Sequence, residues 1–282
     1  MAKVAVVTDS TATIPHEYLD QYPIWVAPQV LIWGEETLLD GIDIQPNEFY
    51  ERLQKDPVHP TTSQVTPSKF VEIFDLLLKQ EYHILAVLVS PKLSGTVESA
   101  NQAKEMFPGA AIEIVNSESI AMAMGFQVLM TARAAKAGAS LAECKDLALK
   151  SRACTGVIFA VDTLEYLHRG GRIGGGAKFL GSALDIRPIL EIRDGRVESV
   201  ERVRTRKKSL ARVVRLIEER IAGRTPVRLA TLHANAAEDA HWLLDIGCAH
   251  LQPMEKIFTE VSPVVGNHAG PGTVGLAFMA GM

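Results

Sequence analysis

The chain is predicted to be an α/β protein in two domains, with a parallel-sheet α/β/α arrangement over residues 1–155 and a mixed, partly antiparallel α/β arrangement over residues 156–282. Three observations carry this. Short buried-strand runs alternate with helical patterns through the first half, the rhythm that pairs strands in parallel through helical crossovers. Asp194-Gly195 between two apolar runs is the strongest hairpin signal in the chain, and it brings antiparallel pairing into the second half. At 282 residues and 47% hydrophobic, the chain can bury one large core or two moderate ones.

Taken in order, Val4 to Val7 reads as a buried strand, and Thr13 followed by Pro15 as a helix start with a cap and an early proline. Apolar alternation from Ile24 to Trp33 predicts another strand. Pro67 to Gln80 is an amphipathic helix with Thr66 as its cap, and His83 to Val89 is a buried strand. Gly95 to Phe107 follows as a helix and Ala111 to Val115 as a strand. Two long helical patterns, Ser119 to Lys136 and Ser140 to Arg152, are divided by Gly138. Gly156 to Val161 then reads as a strand, and the domain boundary is placed beside it. Pro188 to Ile192 and Val197 to Val203 flank the Asp194-Gly195 turn. A helix over Lys207 to Ala222, a strand over Val227 to Leu232 and a helix over Ala236 to Leu251 come next. Ile257 to Val265 and Thr273 to Met279 are read as the last two strands.

Composition narrows the function classes. A net charge of −4 argues against general nucleic-acid affinity. The three cysteines, Cys144, Cys154 and Cys248, are widely spaced, which suits a reducing cytoplasm better than a disulfide framework or a structural zinc site. The apolar run at Val4 to Val7 is too short for a signal-peptide core, and no run reaches the roughly 18 apolar residues of a membrane span. The expectation is a cytoplasmic protein. Its eight histidines are scattered, and His241 and His250 on one helix lack ligand spacing, so no metal is implied. Gly270-Pro271-Gly272-Thr273-Val274-Gly275 matches the dinucleotide fingerprint by letter, but no βαβ unit can follow it. There is no phosphate-binding loop of the G-x-x-x-x-G-K-[ST] kind.

Three polar segments remain: Thr61-Thr62-Ser63-Gln64, Leu93-Ser94-Gly95-Thr96 and Asn267-His268-Ala269-Gly270-Pro271-Gly272. The first two precede helical patterns, where hydroxyls and free amides at positive helix ends would hold a carboxylate or phosphate. The plain alternative for Ser94 is a helix cap, and for His268 a hydrogen bond that holds the Gly-Pro-Gly turn. Thr62 and Ser63 have no evident capping duty, because Thr66 is the better cap for the helix at Pro67. Ser94, His268 and Asp9 could be imagined as a hydrolase triad, but no G-x-S-x-G elbow accompanies them, and two caps plus a turn explain the same residues without a nucleophile.

These segments occur in order with Val6-Val7-Thr8-Asp9-Ser10-Thr11-Ala12 and Arg169-Gly170-Gly171-Arg172-Ile173, and the set resembles the DegV family of bacterial fatty-acid-binding proteins. Val65 departs from it, since many relatives carry proline directly after the glutamine. The resemblance implies a two-domain DegV-like fold with the ligand between the domains. It further implies a long-chain, palmitate-like fatty acid whose carboxylate is held by Thr62, Ser63, Ser94, Gly95, Thr96 and His268. Some family members are the acyl-carrying subunit of a fatty-acid kinase. There a separate ATP-binding protein forms the acyl phosphate for phospholipid synthesis, and the residue matching Arg172 engages that partner. On this reading the chain needs no catalytic residue and no cofactor. The rival reading is a Ser/His acyl hydrolase or acyltransferase using Ser94 and His268.

Between Arg193 and Arg228 there are twelve Lys or Arg against five Asp or Glu. With no aromatic residue for base stacking, the stretch reads as a solvated face rather than a nucleic-acid site. If it docks anything, an acidic partner or a transient contact with an anionic membrane fits better.

Overall fold

The computed structural model describes residues 3–179 and 186–282. Strand β1 (Val4–Asp9) buries all six of its residues, as a central parallel strand does. The Asp9 carboxylate caps a 3-10 turn at Ser10–Ala12, and the short helix α1 (His16–Leu19) follows. Thr13 closes that turn in the left-handed region and Pro15 is the N-cap of α1, so the helix starts later than Thr13 implied.

The single strand expected from Ile24 to Trp33 is two, β2 (Ile24–Ala27) and β3 (Val30–Trp33). Pro28 between them has no amide to donate to a ladder, so the chain leaves one sheet and enters another. β2 runs parallel to β1, whereas β3 pairs antiparallel with β4 (Glu36–Leu39). Helix α2 (Pro46–Lys55), absent from the sequence reading, has Pro46 in its first turn and a Gln45/Glu48 capping box. The polar segment at Thr61 then forms β5 (Thr61–Ser63), antiparallel to β3 with Thr62 opposite Leu31. It is a strand and does not adjoin a helix end, so the expectation that free helix-end amides join its hydroxyls is not met.

Thr66 caps α3 (Pro67–Lys79) as expected, its hydroxyl accepting from the Lys69 amide. With β6 (His83–Leu88), α4 (Thr96–Glu105) and β7 (Ile112–Asn116), the first sheet is complete: four parallel strands in the order β2-β1-β6-β7. Phe70, Phe74 and Ala100 of α3 and α4 cover one face, packed on Ala5, Val7 and Ile84.

Helix α5 (Ala121–Lys136) buries 12 of its 16 residues, so it shows no polar stripe and takes cover on every side. It packs on β1 and β6 and, across the molecule, on β8 (Thr155–Ala160) of the second sheet, with α6 (Leu141–Arg152) beside it. A continuous apolar core therefore joins the two sheets around Met122, Phe126 and Leu129.

The second sheet continues through α7 (Glu165–Arg169), a 3-10 turn at Gly174–Phe179, β9 (Arg187–Arg193), β10 (Arg196–Val203), α8 (Arg206–Ile221), β11 (Val227–His233), α9 (Ala237–Leu251) and β12 (Glu255–Ile257). Of the apolar run Ala177 to Leu184 in the sequence, positions 180 onward lie outside the described residues. The β9–β10 hairpin turns at Asp194-Gly195, as predicted. The chain closes with α10 (Pro263–Ala269) and β13 (Val274–Ala280). Strand order is β10-β9-β8-β13-β11-β12, antiparallel except for β11 with β12, and α8 and α9 cover its outer face.

The strand expected from Ile257 to Val265 is overturned. Ser262 as N-cap and Pro263 at the first helical position start a helix there, and a start signal of this kind outweighs the β-branched pair Val264-Val265. His268 thus sits in the last turn of a helix and not in a loop. Among the described residues, no helix is long and apolar enough to cross a membrane, and no three His, Cys, Asp or Glu side chains gather to hold a metal.

Candidate functional site

Between the two sheets lies a cavity of about 810 Å3, counted with the space at its mouth. Val157 and Phe159 of β8, Ile192 of β9, Val197 of β10 and Leu232 of β11 wall one side; Val89, Ile120 and Ala121 wall the other. Polar side chains enter this apolar lining chiefly through Thr62, Ser63, Gln64, Ser94, Arg172 and His268. A second opening, lined by His59, Tyr166, Arg169, Asn267 and others, shares Thr62, Arg172 and His268 with the cavity. Those three residues therefore form the partition between the apolar space and a cationic mouth.

Thr62 and His268 are 206 positions apart in sequence, yet Thr62 Oγ1 and His268 Nε2 lie 2.7 Å apart. Strand β5 carries one and the end of α10 the other. The α10 start is held from below, because the Val264 amide donates to the buried Asp40 carboxylate at 3.1 Å. Ser10 Oγ donates to the same Asp40 at 2.6 Å. Burial raises the Asp40 pKa, and the hydrogen bonds from Ser10, Ser262 and Val264 oppose that rise.

The His268 ring is set directly against the backbone of Gly170, and its Nδ1 is buried without a hydrogen-bond partner among the described residues. Burial, then the nearby Arg172 charge, lower its pKa to about 4. The imidazole is neutral at pH 7, and Thr62 is bonded to a neutral ring. His233, also buried, is lowered to about 4 by burial and by His241.

A stability consequence follows from these two values. The unfolded chain takes up these protons near the ordinary histidine pKa of about 6.5, but the folded chain does so only near 4. Between those pH values the unfolded state binds more protons, so the unfolding free energy of the lipid-free protein falls as pH drops from about 6.5 towards 4. Chemical denaturation at a series of pH values should show this fall, and His268→Gln should remove part of it.

Ser94 precedes α4, but Gly95 is the N-cap and Ser94 is not. The Ser94 hydroxyl instead lies 2.8 Å from the Thr96 hydroxyl. Thr96 is fully buried and stands behind the cavity wall with Gly95, so neither contributes to the lining. Ser94 and His268 therefore have separate hydrogen-bond partners, Thr96 and Thr62. Asp9 accepts from Thr11, Gln29 and Val89, so a Ser-His-Asp relay is not assembled.

Arg172 donates from Nε to the Leu93 carbonyl at 3.0 Å and from Nη1 to the Gly170 carbonyl at 2.6 Å. It ties the loop before α4 to the loop after α7, with its charge at the partition. Gln64, Leu93 and Thr11 were named only as members of motif segments, and Gln29, which also lines the cavity, was missed. A lone polar residue between two apolar strands, as Gln29 is, was the available signal.

At least six of the twelve basic side chains of the stretch are ion-paired within the chain. Arg193 and Arg220 bond Glu191; Arg196 bonds Glu198; Arg206 bonds Asp162 and Asp239; Arg212 bonds Glu201 and Glu219; Arg228 bonds Glu255. The exposed pairs among these contribute little stability, but together with the buried Arg228 and Glu191 pairs they diminish the field a nucleic acid would meet.

Comparison with known proteins places this geometry. A family model described as "Uncharacterised protein, DegV family" matches residues 3–281. A DegV domain-containing protein of Streptomyces coelicolor is 37% identical over 276 residues, covering 97% of each chain. Protein DegV of Bacillus subtilis is 34% identical, covering 98% of each. Among solved structures, a Thermus thermophilus protein described by "Fatty Acid Binding of a DegV family Protein" superposes with a TM-score of 0.93 at 31% identity, over 99% of both chains. The Bacillus subtilis structure described as "DegV, a fatty acid binding protein" gives a TM-score of 0.89 at 32% identity, over 99% of this chain and 100% of that one. With its parallel and mixed sheets and the cavity between them, the chain belongs to the DegV family.

Proposed function

We propose that this chain binds a long-chain fatty acid in the cavity between its lobes, residues 1–155 and 156–282, and carries it without altering it. The observation that carries this reading is the partition. An apolar cavity meets a cationic mouth at Thr62, His268 and Arg172, and Ser94 is a further lining hydroxyl. The likeness to fatty-acid-binding relatives supports the same reading.

A carboxylate only accepts hydrogen bonds, so each group facing it must donate. His268 meets this demand through Thr62: Nε2–H donates to Thr62 Oγ1, which frees the threonine proton for the ligand. His268 thus acts one atom removed from the carboxylate. Ser94 and Ser63 supply further hydroxyls, with Gly95 and Thr96 supporting from behind. For a palmitate-like tail, burial at about 0.8 kcal/mol per methylene amounts to roughly 11 kcal/mol gross, against about 1 kcal/mol net for an ordinary hydrogen bond. The tail supplies affinity and the head group supplies register.

The carrier presents its carboxylate to a separate ATP-dependent fatty-acid kinase, which forms the acyl phosphate for phospholipid synthesis. Arg172 stands where a partner reaching the carboxylate through the second opening meets the chain, and it is the docking residue of this account. Basic side chains between Arg193 and Arg228 that are not paired internally make a transient contact with an anionic membrane during delivery.

The test is palmitate binding by titration of the delipidated protein, alongside an ester-hydrolysis assay. Ser94→Ala and Thr62→Val should each weaken binding about tenfold to a hundredfold, the range for a hydrogen bond to a charged group. Ester turnover should be absent throughout. Hydrolysis that is lost in Ser94→Ala would favour the hydrolase reading instead.

A further inference from the structure

We propose that Gln29, anchored by Asp9, is a positioning residue that aims the Ser94 hydroxyl proton into the cavity, so that the site favours an acceptor-only head group. This rests on the fatty-acid reading above and adds to it the origin of head-group selectivity. Gln29 is 2% exposed, and its side chain reaches across the molecule to two buried groups. Nε2 lies 3.3 Å from Asp9 Oδ1 and 2.9 Å from Thr96 Oγ1.

The relay of hydrogen bonds starts at Asp9. Asp9 is wholly buried and accepts from the Thr11 amide at 3.1 Å, the Thr11 hydroxyl, the Val89 amide at 2.9 Å and Gln29. Burial raises its pKa and these donors oppose the rise; each carboxylate oxygen faces a backbone N–H, Thr11 on Oδ1 and Val89 on Oδ2, which can only donate. An ionised carboxylate accepts only, so it turns the NH2 end of the Gln29 amide towards itself. The second N–H of that NH2 then donates to Thr96 Oγ1. Thr96 has a single proton of its own, and the hydroxyl beside it is Ser94, 2.8 Å away. A hydroxyl that accepts a hydrogen bond is the stronger donor, so Thr96 gives its proton to Ser94, and the Ser94 proton is left for the cavity.

Without Gln29 the last link is free to reverse. Ser94 would donate to Thr96 and present a lone pair to the ligand, which repels a carboxylate. A long-chain alcohol can donate or accept, so it adapts to either direction. The backbone of Gln29 strengthens the case for a built device: its amide donates to Ser10 Oγ at 3.0 Å, and Ser10 donates to the Asp40 that holds the helix bearing His268. Both hydroxyls that face the ligand, Ser94 and Thr62, are thereby registered to one residue.

The experiment compares palmitate with hexadecanol, binding each to the delipidated full chain and to Gln29→Met. The substitution should weaken palmitate about tenfold to a hundredfold, the range for a hydrogen bond to a charged group, and move hexadecanol by no more than about twofold. Removing the competing acceptor as well, in Gln29→Met/Thr96→Val, should restore palmitate affinity towards that of the unaltered chain. If Gln29→Met does not fold, Asp9→Asn is read in its place, since freeing the Gln29 amide to flip should produce the same palmitate-selective loss. Equal loss of both ligands, or no loss of palmitate in a folded variant, overturns the proposal. Failure of the unaltered chain to bind palmitate at all overturns the fatty-acid reading itself, and this one with it.

Discussion

Gly170→Ala should abolish most fatty-acid affinity while leaving the fold in place. The backbone at Gly170 has φ −75°, which alanine adopts freely, so the substitution carries no conformational penalty of its own. Space is the obstacle. A methyl group on Gly170 would stand 2.0 Å from His268 Nδ1 and 2.7 Å from Cε1, closer than any real contact. The ring must move, and its 2.7 Å bond to Thr62 Oγ1 is what gives way. Thr62 then loses the donor that frees its own proton for the ligand. A loss of about tenfold to a hundredfold in palmitate affinity is expected, the range for hydrogen bonds to a charged group, with only a small drop in melting temperature. Titration of the delipidated variant measures the first and thermal unfolding the second. Unchanged affinity would mean that the His268–Thr62 pair does not serve the head group.

Val157→Trp should have the larger effect, because it acts on the tail. Val157 lies in β8, paired with Ala277 of β13, and its side chain lines the cavity. An indole there occupies space that the acyl chain needs. Excluding about six methylenes from burial removes roughly 5 kcal/mol, or about three to four orders of magnitude in affinity. Overpacking would cost about 1–3 kcal/mol of stability, so the variant should still fold. Its retained secondary structure, with no palmitate uptake, is the expected pair of observations.

Much of the fold was readable from sequence where start and stop signals are strong. Thr66-Pro67 and Asp194-Gly195 each carry their own local physics, and the structure follows them. The failures occurred where two local signals compete. Ser262-Pro263 starts a helix, but Val264-Val265 reads as a strand, and the helix prevails because its N-terminus is tied to Asp40 from another part of the chain. In the same way, the apolar alternation from Ile24 hid Pro28, which sends two adjacent strands into different sheets.

The site was readable as residue types but not as relations. Thr62, Ser63, Ser94 and His268 are brought to one cavity. Their wiring was not foreseen, because it runs through pairs 67 and 206 positions apart. Gly95 and Thr96 were expected at the ligand as helix-end donors, yet they lie behind the wall, where Thr96 serves Ser94. Arg172 was expected to engage a partner; in the structure it hydrogen-bonds two loop carbonyls at the partition.

The central claim is that the cavity between the sheets holds a long-chain fatty acid by its tail and its carboxylate. Native mass spectrometry of the protein as purified, followed by organic extraction of whatever it releases, tests this most directly. The account predicts a bound mass equal to one fatty acid, diminished in Ser94→Ala and absent in Val157→Trp. A protein that is empty as purified and takes up no added fatty acid would contradict it.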